Sequence, residues 1–485
     1  MQFVSVPFFI FLALSFALFW AVPNRVRPFV LFVASIFFYL YLSPKMVIFP
    51  VLTALFIWLI GMEMEKNRRE EKKKRLLLFS GIAVLVLCLA AFKYLREIRI
   101  GDSFFIRVIM PLGVSFYTFR AISYLADVGR GDIQAEENPL YCFLLVMFFP
   151  MATSGPIERG SRIIPQFRQE FVFDPSAAAD SGLLIVLGII KKVCVADLLA
   201  IPVDTIFNNI HDYSGPVIVL GAVLYSFQLF FDFSGYSDMA VGAAGLFGIE
   251  LTQNFRAPYL SKNFADFWKR WHISLTSWLQ DYIFIPLTWS RWWDRLFFRK
   301  TMDERKPSVL INIFMVFLVS GIWHGTGFTF LVWGMLHGLY RVVEELIKRN
   351  RKKKKKRSGK GGVLSIAGVF LLNALTNIFF RANTIGEAGY AVTHLFTGWN
   401  LASVLTAANI AVMMKTLAVA YLFIIINVFA DRIIYPGGSV IEKIKGLPSL
   451  RRWAIYFALV LIAFFMFLHG NGGYGNAQQF IYFQF

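Results

Sequence analysis

The sequence predicts an all-α protein that crosses a membrane many times, and three observations carry that prediction. Of its 485 residues, 57% are hydrophobic and 16% charged, against about 45–50% and roughly 25% in soluble chains. The apolar residues fall in runs of about 15–20, the length that spans a hydrocarbon core as a helix. The charge is clustered: three segments between apolar runs hold 16 of the 19 net positive charges. Lys348–Lys360 contributes ten basic residues and no acid, Glu63–Arg75 seven against four, and Asp431–Arg452 five against two. Such loops read as cytoplasmic under the positive-inside rule. A nucleic-acid binder would spread its basic residues over one folded face, so the bilayer is the expected partner and nucleic acid is not. The Lys352–Lys356 run also suits anionic lipid. The 53 Phe and 12 Trp residues exclude a disordered or fibrous chain.

The elements follow in order. Phe3–Val22 lacks a basic leader and a small-residue cleavage site, so it reads as a retained helix. Arg25 and Arg27 follow it and place the N-terminus outside. Val26–Leu42 and Met46–Met62 form a return pair around Ser43-Pro44-Lys45, and Leu76–Leu95 crosses outward again. In the middle, Val108–Val128, Pro139–Thr153, Leu183–Leu199 and Val217–Phe247 are apolar but interrupted by Gly, Pro and polar residues. Interruptions at membrane depth need neighbouring protein or a water-filled cavity, which predicts tilted or half-spanning helices here. Val309–Trp323 and Phe328–Arg341 flank a Gly-rich break, and Val363–Phe380, Asn409–Ala430 and Trp453–Leu468 complete the chain. The total is about 11–13 embedded helices, with both termini outside a cytoplasmic (inner) membrane. The expected divisions are N-terminal transmembrane helices (1–107), a central core (108–347) with an amphipathic insert (256–300), a polybasic loop (348–362), C-terminal transmembrane helices (363–469) and an extracytoplasmic tail (470–485).

Within the insert, Phe264, Phe267, Trp268, Trp271, Leu275, Trp278, Leu279 and Tyr282 recur three and four residues apart over Asn263–Tyr282. This spacing predicts one amphipathic helix. Six of the 12 tryptophans lie between Trp268 and Trp293, which places the segment at a membrane interface. Cys88, Cys142 and Cys194 are widely spaced in apolar sequence and read as free, buried thiols with no metal spacing.

Ionisable residues inside apolar segments usually mark a site. His324 ends an apolar helix within Ser320-Gly321-Ile322-Trp323-His324-Gly325-Thr326-Gly327, where glycines admit a close backbone or substrate. A neutral imidazole takes a proton from a hydroxyl near neutral pH; a structural histidine at a helix break is an equal reading of the local sequence. His272 shares the aromatic stripe and by itself reads as packed. His337, four residues from Trp333 and Arg341, reads as structural, and His211, His394 and His469 carry no signal. Asp232 and Asp238 lie six apart in Asp232-Phe233-Ser234-Gly235-Tyr236-Ser237-Asp238. With no further ligand at metal spacing, helix-to-helix hydrogen bonding is their expected role and no metal is expected. No Walker loop, dinucleotide fingerprint or G-x-S-x-G elbow is present.

Several blocks together resemble the membrane-bound O-acyltransferase family, in its bacterial branch of alginate and peptidoglycan O-acetylation proteins. They are Pro111–Phe119, Ser154-Gly155-Pro156-Ile157, Asp232–Asp238, Asn254-Phe255-Arg256-Ala257-Pro258-Tyr259, Phe267–Ser274 and Gly321-Ile322-Trp323-His324-Gly325. The paired Trp-His-Ile-Ser and Trp-His-Gly blocks are the specific part. The chain differs at Arg120, where the family often carries Gln, and at Met151-Ala152-Thr153, where a Gln-Leu pair often precedes Gly-Pro. The resemblance implies a ring of helices around a central funnel, with an acyl donor entering from the cytoplasm and an acceptor reached from outside. It implies His324 as the catalytic histidine and His272 as the second motif histidine. It also implies no permanently bound cofactor, and acetyl-CoA or another acyl thioester as donor.

The tail Gln479-Phe480-Ile481-Tyr482-Phe483-Gln484-Phe485 resembles the C-terminal peptide of the small single-helix partner in lipoteichoic-acid D-alanylation. That likeness makes Tyr482 a candidate transient acyl acceptor; an aromatic plug is the other reading. The expected function is acyl transfer, most simply of acetyl, across the membrane to a cell-wall or secreted polysaccharide through an extracytoplasmic SGNH-type transferase. D-alanyl transfer from a carrier protein, a transporter or flippase, and a non-catalytic assembly role are the alternatives. A transporter would be expected to show helix repeats, which this sequence lacks.

Overall fold

The computed structural model describes residues 3–95, 97–100, 104–107, 111–290, 309–352, 362–412, 417–434, 440–469 and 480–481. The protein is all-α and multi-pass, with one short antiparallel hairpin, Glu97–Ile100 paired to Phe104–Arg107, among the described residues. Six described helices are long and apolar enough to cross a membrane: Asn24–Leu42, Ile48–Lys66, Glu71–Tyr94, Gly215–Gly245, Gly362–Arg381 and Ser449–Met466. Shorter apolar helices include Val6–Ala21, Pro139–Met151 and Val309–His324. Leu14, Phe29, Leu76, Phe79, Leu461 and Phe464 are exposed, as expected of surface solvated by lipid.

Two compact units divide the chain, each discontinuous in sequence. The first comprises Met1–Ile190, Gly235–Gln253 and Leu450–Gln484. Its helices start where caps and prolines allow. Ser5 accepts the Phe8 amide at 3.4 Å ahead of Val6–Ala21, and Asn138 accepts the Leu140 amide at 3.0 Å ahead of Pro139–Met147. Gly113 turns the chain into Val114–Arg130 at φ 69°, and a Cβ there would lie 1.9 Å from the Ala152 carbonyl oxygen. Only glycine fits both conditions. Arg120, fully buried, donates to the Val146 and Met151 carbonyls at 2.7 and 3.0 Å. The two positions that differ from the family pattern therefore touch.

The second unit comprises Lys191–Ser234, Asn254–Ser449 and Phe485. Its centre is the antiparallel pair Val309–His324 and Phe328–Lys352. A Cβ on Gly321 would meet the Phe330 carbonyl oxygen at 2.5 Å, and one on Gly334 the Phe317 oxygen at 2.4 Å. Small residues let these backbones touch, as membrane helices commonly do.

Three expectations need correction. Val217–Phe247 is not broken: Gly215–Gly245 runs as one helix of 31 residues, and a Cβ on its Gly221 would crowd Ile206 at 2.9 Å. A glycine there serves close packing and need not interrupt the helix. The insert is not one interfacial helix. It forms Phe264–Trp268, a turn, then Ile273–Leu279, a π-helical stretch and Ile285–Trp289. Its stripe from Phe264 to Leu279 is buried, as is Ser274 on the polar face, while Trp289 is exposed. The aromatic residues fill a protein core. Cys88 is exposed on the Glu71–Tyr94 helix, whereas Cys142 and Cys194 are buried; all three are free.

Candidate active site

His324 is the last residue of Val309–His324, is 4% exposed, and packs its ring against Trp323, Trp333 and Phe380 at 4.7, 4.9 and 5.1 Å between centroids. A helix C-terminus is the negative end of the peptide dipoles and favours the positive charge an imidazole gains on taking a proton. The apolar walls exclude competing water.

His272 stands at the break inside the insert. Its backbone is left-handed, φ 44° and ψ 55°, and Ala257 at φ 49° is the other non-glycine in that region among the described residues. Such conformations cost of order 1–3 kcal/mol and persist where surrounding structure enforces them. Here Asn254 enforces it: its carbonyl accepts the Ile273 amide at 3.0 Å and its side-chain oxygen accepts the Ser274 amide at 3.1 Å. The Arg270 carbonyl accepts the Arg256 amide at 3.0 Å and ties the same two segments together. The His272 ring is 1% exposed, lies edge-on to Phe233 at 4.6 Å, and reaches Trp323 at 6.5 Å. Burial drives its pKa down to about 3, so the ring is neutral throughout the working range. His272 and His324 thus share one indole, Trp323, at 6.5 and 4.7 Å between centroids.

The Asp232–Asp238 block behaves differently at its two ends. Asp232, 2% exposed, accepts from Lys192 Nζ at 2.7 Å, and Asp197 pairs with the same ammonium at 2.8 Å. Lys192 lies on the π-helical stretch Lys191–Ala196, whose extra residue per turn aims it at both carboxylates. Asp232 is therefore an ion-pair partner, and Asp238 belongs to the other unit. Among the described residues no His/Cys/Asp/Glu group could hold a metal ion. At the tail, Phe480 is buried with its ring 5.1 Å from Tyr236, whose hydroxyl bonds that of Thr153. Tyr482 lies outside the described residues.

The structure brings together His272 and His324, which the sequence separates by 52 positions. It adds residues that sequence reasoning passed over. Trp323 and Asn254 lie inside quoted motif blocks, so their signal was present but unassigned. Glu344, on Phe328–Lys352, accepts the Phe264 amide and the Ala265 amide, the latter at 3.0 Å, while held by Arg341 at 2.6 Å. Nothing in its local sequence marks that role.

The chain is a multi-pass helical membrane protein that brings two buried histidines onto one indole. The model of the MBOAT, membrane-bound O-acyltransferase family, matches residues 132–379, and the chain belongs to that family. It is similar to the probable alginate O-acetylase AlgI of Pseudomonas syringae pv. tomato, 31% identical over 430 residues that cover 86% of this chain and 79% of that one. It is also similar to the peptidoglycan O-acetyltransferase of Helicobacter pylori, 32% identical over 393 residues, 74% of this chain and 71% of that one. The teichoic acid D-alanyltransferase of Bacillus subtilis matches 50% of this chain and 61% of its own length at 31% identity. These relatives place the chain in the bacterial branch that the motif blocks resemble, and its activity is acyl transfer.

Proposed function

We propose that this acyltransferase takes an acetyl group from a cytoplasmic thioester, acetyl-CoA, and passes it across the cytoplasmic membrane for O-acetylation of an extracellular or cell-wall polysaccharide. Both termini face outside, and an extracytoplasmic SGNH-type transferase completes the transfer. The observation that carries the chemistry is the buried pair His272 and His324 on Trp323. His324 takes the proton of an acceptor hydroxyl as its oxygen attacks the thioester carbonyl. The C–S bond breaks, and the thiolate receives that proton from the imidazolium, leaving an ester and a free thiol. Neutral His272 donates an N–H to the carbonyl oxygen as negative charge develops there.

The acceptor we assign is the Tyr482 phenol, which then hands the acyl group onward as a tyrosyl ester. D-alanyl transfer is the second reading. The breadth of similarity favours acetyl, because the two O-acetylating relatives match 86% and 74% of the chain and the D-alanyl one 50%. The test incubates membranes holding the full chain with acetyl-labelled coenzyme A and analyses the C-terminal peptide by mass spectrometry. Label on Tyr482, lost in His324→Ala, is the expected result. An unlabelled wild-type peptide, or Tyr482→Phe with full activity, defeats the relay; full activity in His324→Ala defeats the base assignment.

A further inference from the structure

His337 lies on Phe328–Lys352, 13 residues beyond His324, and is 0% exposed. Its ring is caged by Trp333 at 4.8 Å, Trp268 at 5.0 Å and Phe264 at 5.8 Å, with Phe317 and Tyr340 just beyond. Trp268 and Trp333 also touch each other at 6.0 Å. Neither ring nitrogen of His337 meets a hydrogen-bond partner among the described residues, and neither does the indole nitrogen of Trp268 or of Trp333. Three mutually touching rings therefore bury four nitrogens. Each left unsatisfied costs about 1–3 kcal/mol, a penalty that a phenylalanine at 337 would halve while filling the same cage.

A neutral imidazole offers one N–H and one lone pair, and the two indoles add two donors. One water can accept from two of these donors and donate to the imidazole lone pair, which satisfies three of the four nitrogens; an apolar occupant satisfies none. Trp333 is also a wall of His324, 4.9 Å away. We infer that the cage of His337, Trp268 and Trp333 is a buried hydration site, and that His337 is a positioning residue whose bound water fixes the Trp333 indole and so seats His324 for proton transfer. This rests on reading His324 as the base.

The distinguishing comparison is His337→Phe, which keeps an aromatic ring and removes both nitrogens, against His337→Asn, which keeps a donor and an acceptor and removes the ring. Each full-length variant replaces the native copy in its host. Alkali-released acyl ester in envelope polysaccharide is measured at matched membrane abundance, with the melting midpoint of the purified protein alongside. The expected result is a loss of about tenfold or more for His337→Phe at an unchanged midpoint, with His337→Asn within about threefold of wild type. Packing alone predicts the reverse order, and that outcome, or equal loss in both variants, overturns the inference. A structure of the wild-type protein that resolves water decides the point even if both variants fail to accumulate. A water within about 3.2 Å of a His337 nitrogen supports the inference, and a dry cage overturns it. His324→Ala separates the two readings: full activity there sinks the base assignment itself, whereas a dead His324→Ala beside a normal His337→Phe sinks only the hydration site.

Discussion

The side-chain oxygen of Asn254 accepts the Ser274 amide at 3.1 Å, and this bond secures the left-handed turn that points His272 inward. This amide side chain adds to the main-chain bonds from Ile273 to Asn254 and from Arg256 to Arg270 that hold the strained backbone next to one of the two candidate histidines. Asn254→Ala removes the acceptor and leaves the Ser274 amide buried without it. The expected cost is about 1–2 kcal/mol of stability, with a loss of activity above tenfold because the histidine is no longer aimed. Acyl-ester output at matched abundance, together with the melting midpoint, checks it. Normal output would mean that the turn is held by other contacts.

The contact between Gly321 and Gly334 makes a second prediction. A methyl on either would lie within about 2.5 Å of a carbonyl oxygen on the facing helix, closer than Cβ atoms come. Gly334→Ala must therefore push Val309–His324 away from Phe328–Lys352 and displace His324 with it. Overpacking costs about 1–3 kcal/mol, so the variant should still accumulate while activity falls to background. A fully active Gly334→Ala would show that the two helices slide freely without consequence for the site.

The buried triad of Lys192, Asp197 and Asp232 gives a third. Removing the ammonium in Lys192→Met strands two carboxylates, a change of about 3–5 kcal/mol for a broken buried pair. Neutralising all three positions, Lys192→Met with Asp197→Asn and Asp232→Asn, should recover most of that loss. Melting midpoints in one detergent measure both. If the triple variant is no more stable than the single, the charges are not coupled as the 2.7 and 2.8 Å contacts require.

The membrane class was legible because lipid imposes length and charge rules that each segment obeys on its own. Lys348–Lys360 needs no tertiary information to read as a polybasic segment, but its first residues, Lys348–Lys352, continue the helix Phe328–Lys352 and the rest lies outside the described residues. His324 was legible in the same way as the end of an apolar helix between glycines, while its catalytic reading came from the resemblance and not from the local sequence. The insert was not. Its spacing from Phe264 to Tyr282 is periodic enough for one helix, yet the chain reverses at His272 because Asn254, distant by 18 positions, supplies the bonds. Periodicity reports which side chains are apolar, and it cannot report a backbone turn enforced from another segment. The same limit hid Lys192: one of two adjacent lysines in apolar sequence shows its meaning only when Asp232, 40 positions on, arrives beside it. Glycines misled in the opposite direction. Those of Gly215–Gly245 resemble interruptions in a string of letters, and in three dimensions they are points of close packing.

Protonation of His272 provides a prediction of a different kind. Burial lowers its pKa from 6.5 to about 3 in the folded protein. Below pH 6.5 the unfolded chain binds a proton at this ring that the folded chain does not, so stability falls as the pH is lowered from 6.5 toward 3. The slope is about 1.4 kcal/mol per unit, or about 2 kcal/mol lost by pH 5 relative to pH 7. The opposite change, loss of stability on raising the pH, would require a folded pKa above 6.5 and an anionic partner at the ring. Replacement by a non-titrating side chain of similar polarity, His272→Gln, removes this contribution whatever the other groups do. Melting midpoints of wild type and His272→Gln in matched detergent should therefore converge as the pH drops from 7 to 5, because only the wild type carries the extra loss. Parallel curves over that range would show that His272 takes up its proton in the folded state, and would move it from neutral hydrogen-bond donor to candidate acid.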